Sequence, residues 1–311
     1  MKTQSNPMNA SSFDPPVMSS AGISDLRLLY WSIRREFWEN RSLYLAPLAI
    51  AAVFLFGFMI STINLPGKVR RVEGLDPAQY REAIAMPYDV AAGLMMLTSI
   101  IVGVFYCLDA LYGERRDRSI LFWKSLPVSD LVTVLAKASI PLLILPLFTF
   151  AIGITMHWIM LLVSSVVLLG SGFSVTTLWA QVSFYQMSFL LLYHMLTAHA
   201  LWPAPVYCWL LLVSGWARRA AVLWAALPVV AIAGVEGILF RTTHFAALVG
   251  CRLIGCAPAV GYTPSDGFPT NPMTHITPGH FLATPGLWIG LVISVAFIAV
   301  AVWQRRYQGP I

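Results

Sequence analysis

The stretch YGERRDRSILFWKSLPVSDLVTVLAK, residues 112–137, is a charged interval between two long apolar runs. Glu114, Arg115, Arg116, Asp117, Arg118, Lys124 and Asp130 are costly to place in hydrocarbon. Ile120, Leu121, Phe122, Trp123 and Leu126 nevertheless sit among them, and a loop that needed only solubility would not carry such a cluster. The pattern predicts a short amphipathic helix at a membrane face, offering Phe122 and Trp123 to a partner. An ordinary interfacial loop with an aromatic anchor fits the same residues. Pro127 ends the helix, because the residue before a proline is pushed out of the helical region. Ser129 or Asp130 is suited to cap the helix that follows.

Outward from this interval the chain is apolar. Of its 311 residues 58% are hydrophobic and 11% charged, with mean hydropathy +0.72, against about 25% charged in a soluble domain. The fold class is therefore an all-α polytopic membrane protein. The net charge of +6 is not a nucleic-acid footprint, because the basic residues lie in short clusters beside apolar spans. Residues 1–23, rich in Ser, Asn and Pro, read as a disordered cytoplasmic tail. Residues 24–311 read as one transmembrane domain. It opens on a helix from Ser24 whose Leu26, Leu29, Tyr30, Ile33 and Phe37 form one apolar face, suited to the interface.

Six spans are expected, at about 44–65, 88–112, 138–170, 182–215, 220–240 and 285–303, since a hydrocarbon core takes about 20 helical residues. Residues 68–86 read as a mixed-charge loop, and 241–284 as the largest external segment, with Phe245 to Ile254 apolar enough to dip into the interface. Two intervals are long. Residues 138–170 suit one tilted helix loosened by Pro141 and Pro146, closed by a turn at Gly170–Ser174. Residues 182–215, interrupted at Trp202-Pro203-Ala204-Pro205, fit either one broken crossing or two. A single crossing puts 14 of the 20 Lys and Arg inside, leaving Lys68, Arg70, Arg71, Arg81, Arg241 and Arg252 outside. Two crossings give about 12 and 8, so the single crossing is preferred, with both termini cytoplasmic.

Several residues invite functional readings. Glu236 is the one carboxylate well inside the fifth span and reads as a polar contact in a translocation path or dimer interface, or as a group near the outer end that reaches water. Asp89 and Asp109 flank the second span and read as solvated helix ends. His194 and His199, five apart, lie about 140° apart around a helix, which disfavours a shared metal. His157 reads as a hydrogen-bonded interior histidine, and His244, His275 and His280 show no metal-cage spacing. Cys251 and Cys256 are expected to pair if a loop separates them in an oxidising compartment. No metal site is expected.

The whole resembles the permease subunit of an ABC-2 type, exporter-class ABC transporter of bacteria, from about Leu26 to Arg306. The resemblance lies in the interfacial first helix, the six spans and above all LYGERRDRSILFWKSLPVSD between spans two and three, which looks like a loop whose coupling helix docks into an ATPase subunit. By that resemblance Glu114, Arg115, Arg116, Asp117, Arg118, Phe122, Trp123 and Lys124 receive ATP-driven motion. Phe122 and Trp123 would be anchors, and Arg115, Arg116 and Arg118 would pair with acidic groups. Re-entrant helices would map loosely onto residues 241–284. The chain has no Gly-x-x-x-x-Gly-Lys-[Ser/Thr] phosphate loop, so ATP and Mg belong on the partner ATPase. The other expected partners are a second permease copy, as a homodimer, and the lipid of the inner (plasma) membrane. A membrane-embedded enzyme is disfavoured by the scatter of intramembrane ionisable residues, and a non-transporting scaffold or sensor subunit is the remaining alternative.

Overall fold

Long apolar runs must satisfy their backbone internally once water is excluded, and helices do so within a single segment. The computed structural model describes residues 25–72, 77–125, 128–172, 174–181, 183–254 and 278–307, and among these there is helix and no strand. In chain order the helices are α1 Asp25–Glu39, α2 Ser42–Thr62, α3 Leu65–Val72, α4 Pro77–Ala110, α5 Tyr112–Arg116, α6 Ile120–Ser125, α7 Asp130–Ser139 and α8 Leu145–Gly170. There follow α9 Val175–Gln181, α10 Phe184–Leu196, α11 Ala204–Trp216, α12 Ala221–Leu239 and α13 His244–Ile254. After residue 277 come α14 Pro278–Ala283 and α15 Pro285–Tyr307. Five continuous helical stretches are long and apolar enough to cross a membrane: Ser42–Thr62, Ile84–Arg116, Asp130–Gly170, Ala221–Leu239 and Pro285–Tyr307. A sixth span results if Phe184–Leu201 and Ala204–Trp216, bent by 45°, count as one. The protein is a multi-pass helical membrane protein.

The breaks have local causes. A proline lacks the N–H of the helical ladder and crowds the carbonyl four residues back. Before Pro146 the chain widens into a π turn, Ile140–Ile144, in which the Leu145 N–H reaches back five residues to Ile140. Before Pro203 it does so again at Thr197–Leu201, with Trp202 N–H donating to Thr197 O at 2.9 Å. The first turn keeps Asp130–Gly170 one continuous span, whereas the second ends in the 45° bend. Gly172, in the left-handed region at φ +77°, makes the turn after α8.

Two local expectations are corrected. Most of residues 68–86 is not loop but α3 and the start of α4. Pro77 begins α4, a position where its missing N–H costs nothing, and Ala and Glu after it favour helix. The central charged interval is two short helices, not one. Arg118 stands between α5 and α6 in the left-handed region, at φ +58°, and the chain turns there.

Packing joins α11 to α4 and α15, α2 to α4 and α8, and α1 to α7. One apolar cluster lies around Tyr106, Leu111, Val134, Ile140, Tyr207 and Leu211. A second surrounds Met95, Met156, Met160, Leu161 and Met195. Many large apolar side chains remain exposed on the outer faces of α2, α12 and α15, among them Val53, Val230 and Val292. Lipid is the solvent such faces suit.

At the bend, Arg252 of α13 pins three elements together. Its guanidinium lies 4.1 Å over the Trp202 ring and donates to Trp202 O at 3.1 Å and to Gly286 O. The Trp202 indole N–H in turn donates to Cys251 O at 2.9 Å. Gly290 makes room, since a Cβ there would stand 2.7 Å from Arg252 Nη1, whereas one at Gly286 would meet nothing nearer than 3.7 Å. Gly290→Ala should therefore push the guanidinium off Trp202 O and Gly286 O and cost about 1 kcal/mol in weakened hydrogen bonds, and Gly286→Ala much less. Thermal unfolding of the two variants in detergent checks this, and equal losses would count against the pin.

Candidate functional site

The charged interval meets the bundle in a web of buried ion pairs. Glu36 of α1 is 1% exposed. It accepts from Lys137 Nζ of α7 at 2.9 and 3.0 Å, from Tyr106 OH of α4 at 3.0 Å and from Arg35 at 2.6 Å. Glu114 of α5 shares the same ammonium at 3.1 Å, pairs with Arg305 of α15 and lies 3.5 Å from Arg35. Arg305 also reaches Asp130 of α7, at 3.1 Å. Three carboxylates thus meet three cations, and the exposed Glu39 joins at the edge, 3.6 Å from Arg35.

Arg115 is buried beside it, and its guanidinium donates to the carbonyls of Gly215 and Ala217. A cation at the end of α11 satisfies carbonyls that lack helical partners. Ser129 caps α7, its hydroxyl oxygen accepting from Val132 N at 3.2 Å. Five helices (α1, α4, α5, α7 and α15) therefore converge on two carboxylates.

The residues expected to face a partner divide into two sets. Glu114 and Arg115 point inward. Arg116, Asp117, Arg118, Phe122 and Lys124 are exposed, and Leu121 joins them. Arg116 pairs with Asp117 at 3.0 Å, an exposed contact worth little. Trp123 is half-buried, with the Arg35 guanidinium 3.8 Å over its ring and the Phe122 ring edge-on at 4.9 Å. The aromatic pair is thus split: Trp123 ties α6 to α1 and Phe122 faces outward.

The remaining candidates lie elsewhere. Glu236, near the far end of α12, accepts from the Thr242 hydroxyl and from the backbone N–H groups of His244 and Phe245, each at 2.8 Å. The chain reverses at Arg241, φ +53°, to bring these donors back. Glu236 thereby caps the first turn of α13. Cys251 is disulfide-bonded, and Cys256 lies outside the described residues. His157 Nε2 meets Tyr88 O at 3.1 Å and His194 Nδ1 meets Leu190 O at 2.9 Å. Among the described residues no three His, Cys, Asp or Glu are placed to share a metal ion.

Sequence reasoning missed Glu36, Lys137, Tyr106 and Arg305 as members of the site. One signal was present. Glu36 falls three residues after Ile33 and seven after Leu29, so it lies in the middle of the apolar stripe of α1. A carboxylate there must be paired or reach water.

No protein-family model matches this chain, and no curated protein or solved structure matches it either.

Burial alone would raise the Glu36 carboxyl, but the charges and hydrogen bonds of Lys137 and Arg35 outweigh it and hold the pKa below the ordinary 4.5. A depressed pKa contributes stability that is present above the unfolded value and is lost as pH falls through the folded one. Two outcomes are expected. Lys137→Met leaves two buried carboxylates one cation short, with only Arg35 and Arg305 still paired to them, and should cost about 3 kcal/mol at neutral pH. The stability gap between the wild type and Glu36→Gln should persist at neutral pH and close only below about pH 4.5. Denaturation in detergent across pH 3–8 measures both.

Proposed function

We propose that this chain is the membrane-embedded permease subunit of an ABC transporter of the ABC-2, exporter class, driven by a separate ATPase subunit that docks on α5 and α6. The observation that carries the reading is the mechanical continuity of that loop with the bundle. Leu121 and Phe122 are 59% and 60% exposed on α6, a small apolar foot set among Arg116, Arg118 and Lys124. Behind it, Trp123 is held by Arg35 of α1, and Glu114 by Lys137 of α7 and Arg305 of α15. A force on the foot reaches three helices through ion pairs instead of being absorbed by a slack loop.

In this mechanism ATP and Mg act on the partner. ATP binding closes an ATPase dimer, each half moves its α5–α6 foot, and two permease copies alternate access across the inner membrane. ATP shifts that equilibrium only by its differential affinity for the two states, so the foot must move with the closed ATPase. Arg116 and Arg118 meet acidic groups of the partner at the rim, and Phe122 fills a pocket at the centre. Arg115 holds the end of α11 in place and does not face the partner.

Purification of the tagged chain from its own cells in mild detergent tests the reading. A stoichiometric nucleotide-binding subunit with ATPase activity is expected. Phe122→Asp should weaken its retention about 30-fold or more, as for an interface anchor worth about 2 kcal/mol. Trp123→Ala should keep the subunit but separate ATP hydrolysis from transport. A chain that purifies without any ATPase subunit, or a Phe122→Asp variant that retains it fully, would sink the proposal.

A further inference from the structure

A cavity of about 500 Å³ opens between α6, the first turn of α7 and the end of α15, within the range of about 300–1,000 Å³ typical of small-ligand sites. Trp123, Lys124, Asp130, Val302, Arg305 and Arg306 are among its lining residues. Three cations therefore face one carboxylate. Arg305 is 6% exposed and is held by Glu114 and Asp130. Arg306 is exposed and has no ion-pair partner among the described residues. The cavity lining thus carries more cations than carboxylates, and the ligand class that answers it is an anion with several acceptor oxygens. Arginine forks suit phosphate in particular.

We propose that this cavity binds the phosphate of an anionic phospholipid headgroup. Its position favours lipid over a free anion. Trp303 and Tyr307 beside it are 63% and 68% exposed, as in the aromatic belt at a membrane–water boundary. Val295, Ala299, Val302 and Arg306 follow one another at four-, three- and four-residue steps, so they share one face of α15. Val295 and Ala299 are exposed on that face. An acyl chain can run along this apolar strip while its phosphate sits at Arg306 and Lys124. Basic pockets between spans on the cytoplasmic side commonly hold such headgroups. The inference does not depend on the transport reading, because the cavity belongs to this chain alone.

The test uses the purified full chain in neutral detergent, without any ATPase, and counts retained lipid by native mass spectrometry. Phosphatidylglycerol should be retained at one per chain, in excess of phosphatidylcholine. The Lys124→Ala/Arg306→Ala double variant should weaken that retention about 30-fold, from about a fivefold loss for each cation removed near an anionic headgroup. Both side chains are exposed, so folding does not hinge on them. Arg218→Ala/Arg219→Ala removes an exposed basic pair elsewhere and should leave retention unchanged. Equal retention by the wild type and the Lys124/Arg306 variant, or equal loss in both double variants, would overturn the site. Inorganic phosphate binding as tightly as the lipid by calorimetry would overturn the headgroup as its source.

Discussion

Lys137 Nζ stands between two carboxylates, 2.9 Å from Glu36 and 3.1 Å from Glu114, in a place that water barely reaches. Removing charges from water costs several kcal/mol for each ion, and only close partners repay it. That requirement fixes the geometry of the whole charged end. Glu36 obliges α1 to lie against α7, Glu114 obliges α5 to tuck beneath α15, and Arg305 must stop where it reaches both Glu114 and Asp130. Apolar packing holds the spans together but is tolerant of sliding. The ion pairs are not, because a displaced charge is left unpaired.

Irregular backbone elsewhere serves the same placement. The π turn before Pro146 leaves Asp130–Gly170 continuous, so α7 carries the charged web and α8 the lipid-embedded packing within one rod. The bend before Pro203 sets α10 at 45° to α11, and there Arg252 stacks on Trp202. Glu236 secures α13 by accepting from its first N–H groups. The two ends of the bundle are thus stabilised differently. One end uses a web of paired carboxylates and cations, and the other uses single charged groups that satisfy backbone atoms.

The exposed side chains of Leu121 and Phe122 adjoin Trp123 in α6, and Trp123 also lines the cationic cavity at Arg306. A protein docked on the foot and a lipid seated in the cavity would both act on the side chain that ties α6 to α1 through Arg35. The local composition of anionic lipid would then bear on how firmly the foot is held.

How much of this was legible in the sequence follows from what each signal measures. Hydropathy over about 20 residues reports transfer into lipid, a property of a segment alone, and it located the spans to within a few residues, except where α4 and α7 begin well before them, at Pro77 and Asp130. Prolines act on their own backbone, so the breaks at 141–146 and 202–205 were legible, and so was capping at Ser129. Whether Glu114 and Arg115 face a partner or the interior is another matter. It depends on Lys137, Arg305 and Gly215, which lie 23, 191 and 100 residues away from their respective partners. Charge in sequence says only that a group needs water or a counter-ion, and tertiary structure decides which. The sequence by itself determined a multi-pass helical membrane protein with an amphipathic charged break, because burial of apolar helices is local in the chain. Only the tertiary structure separated the inward ion pairs from the outward foot, because pairing energy depends on distances that the chain order does not contain.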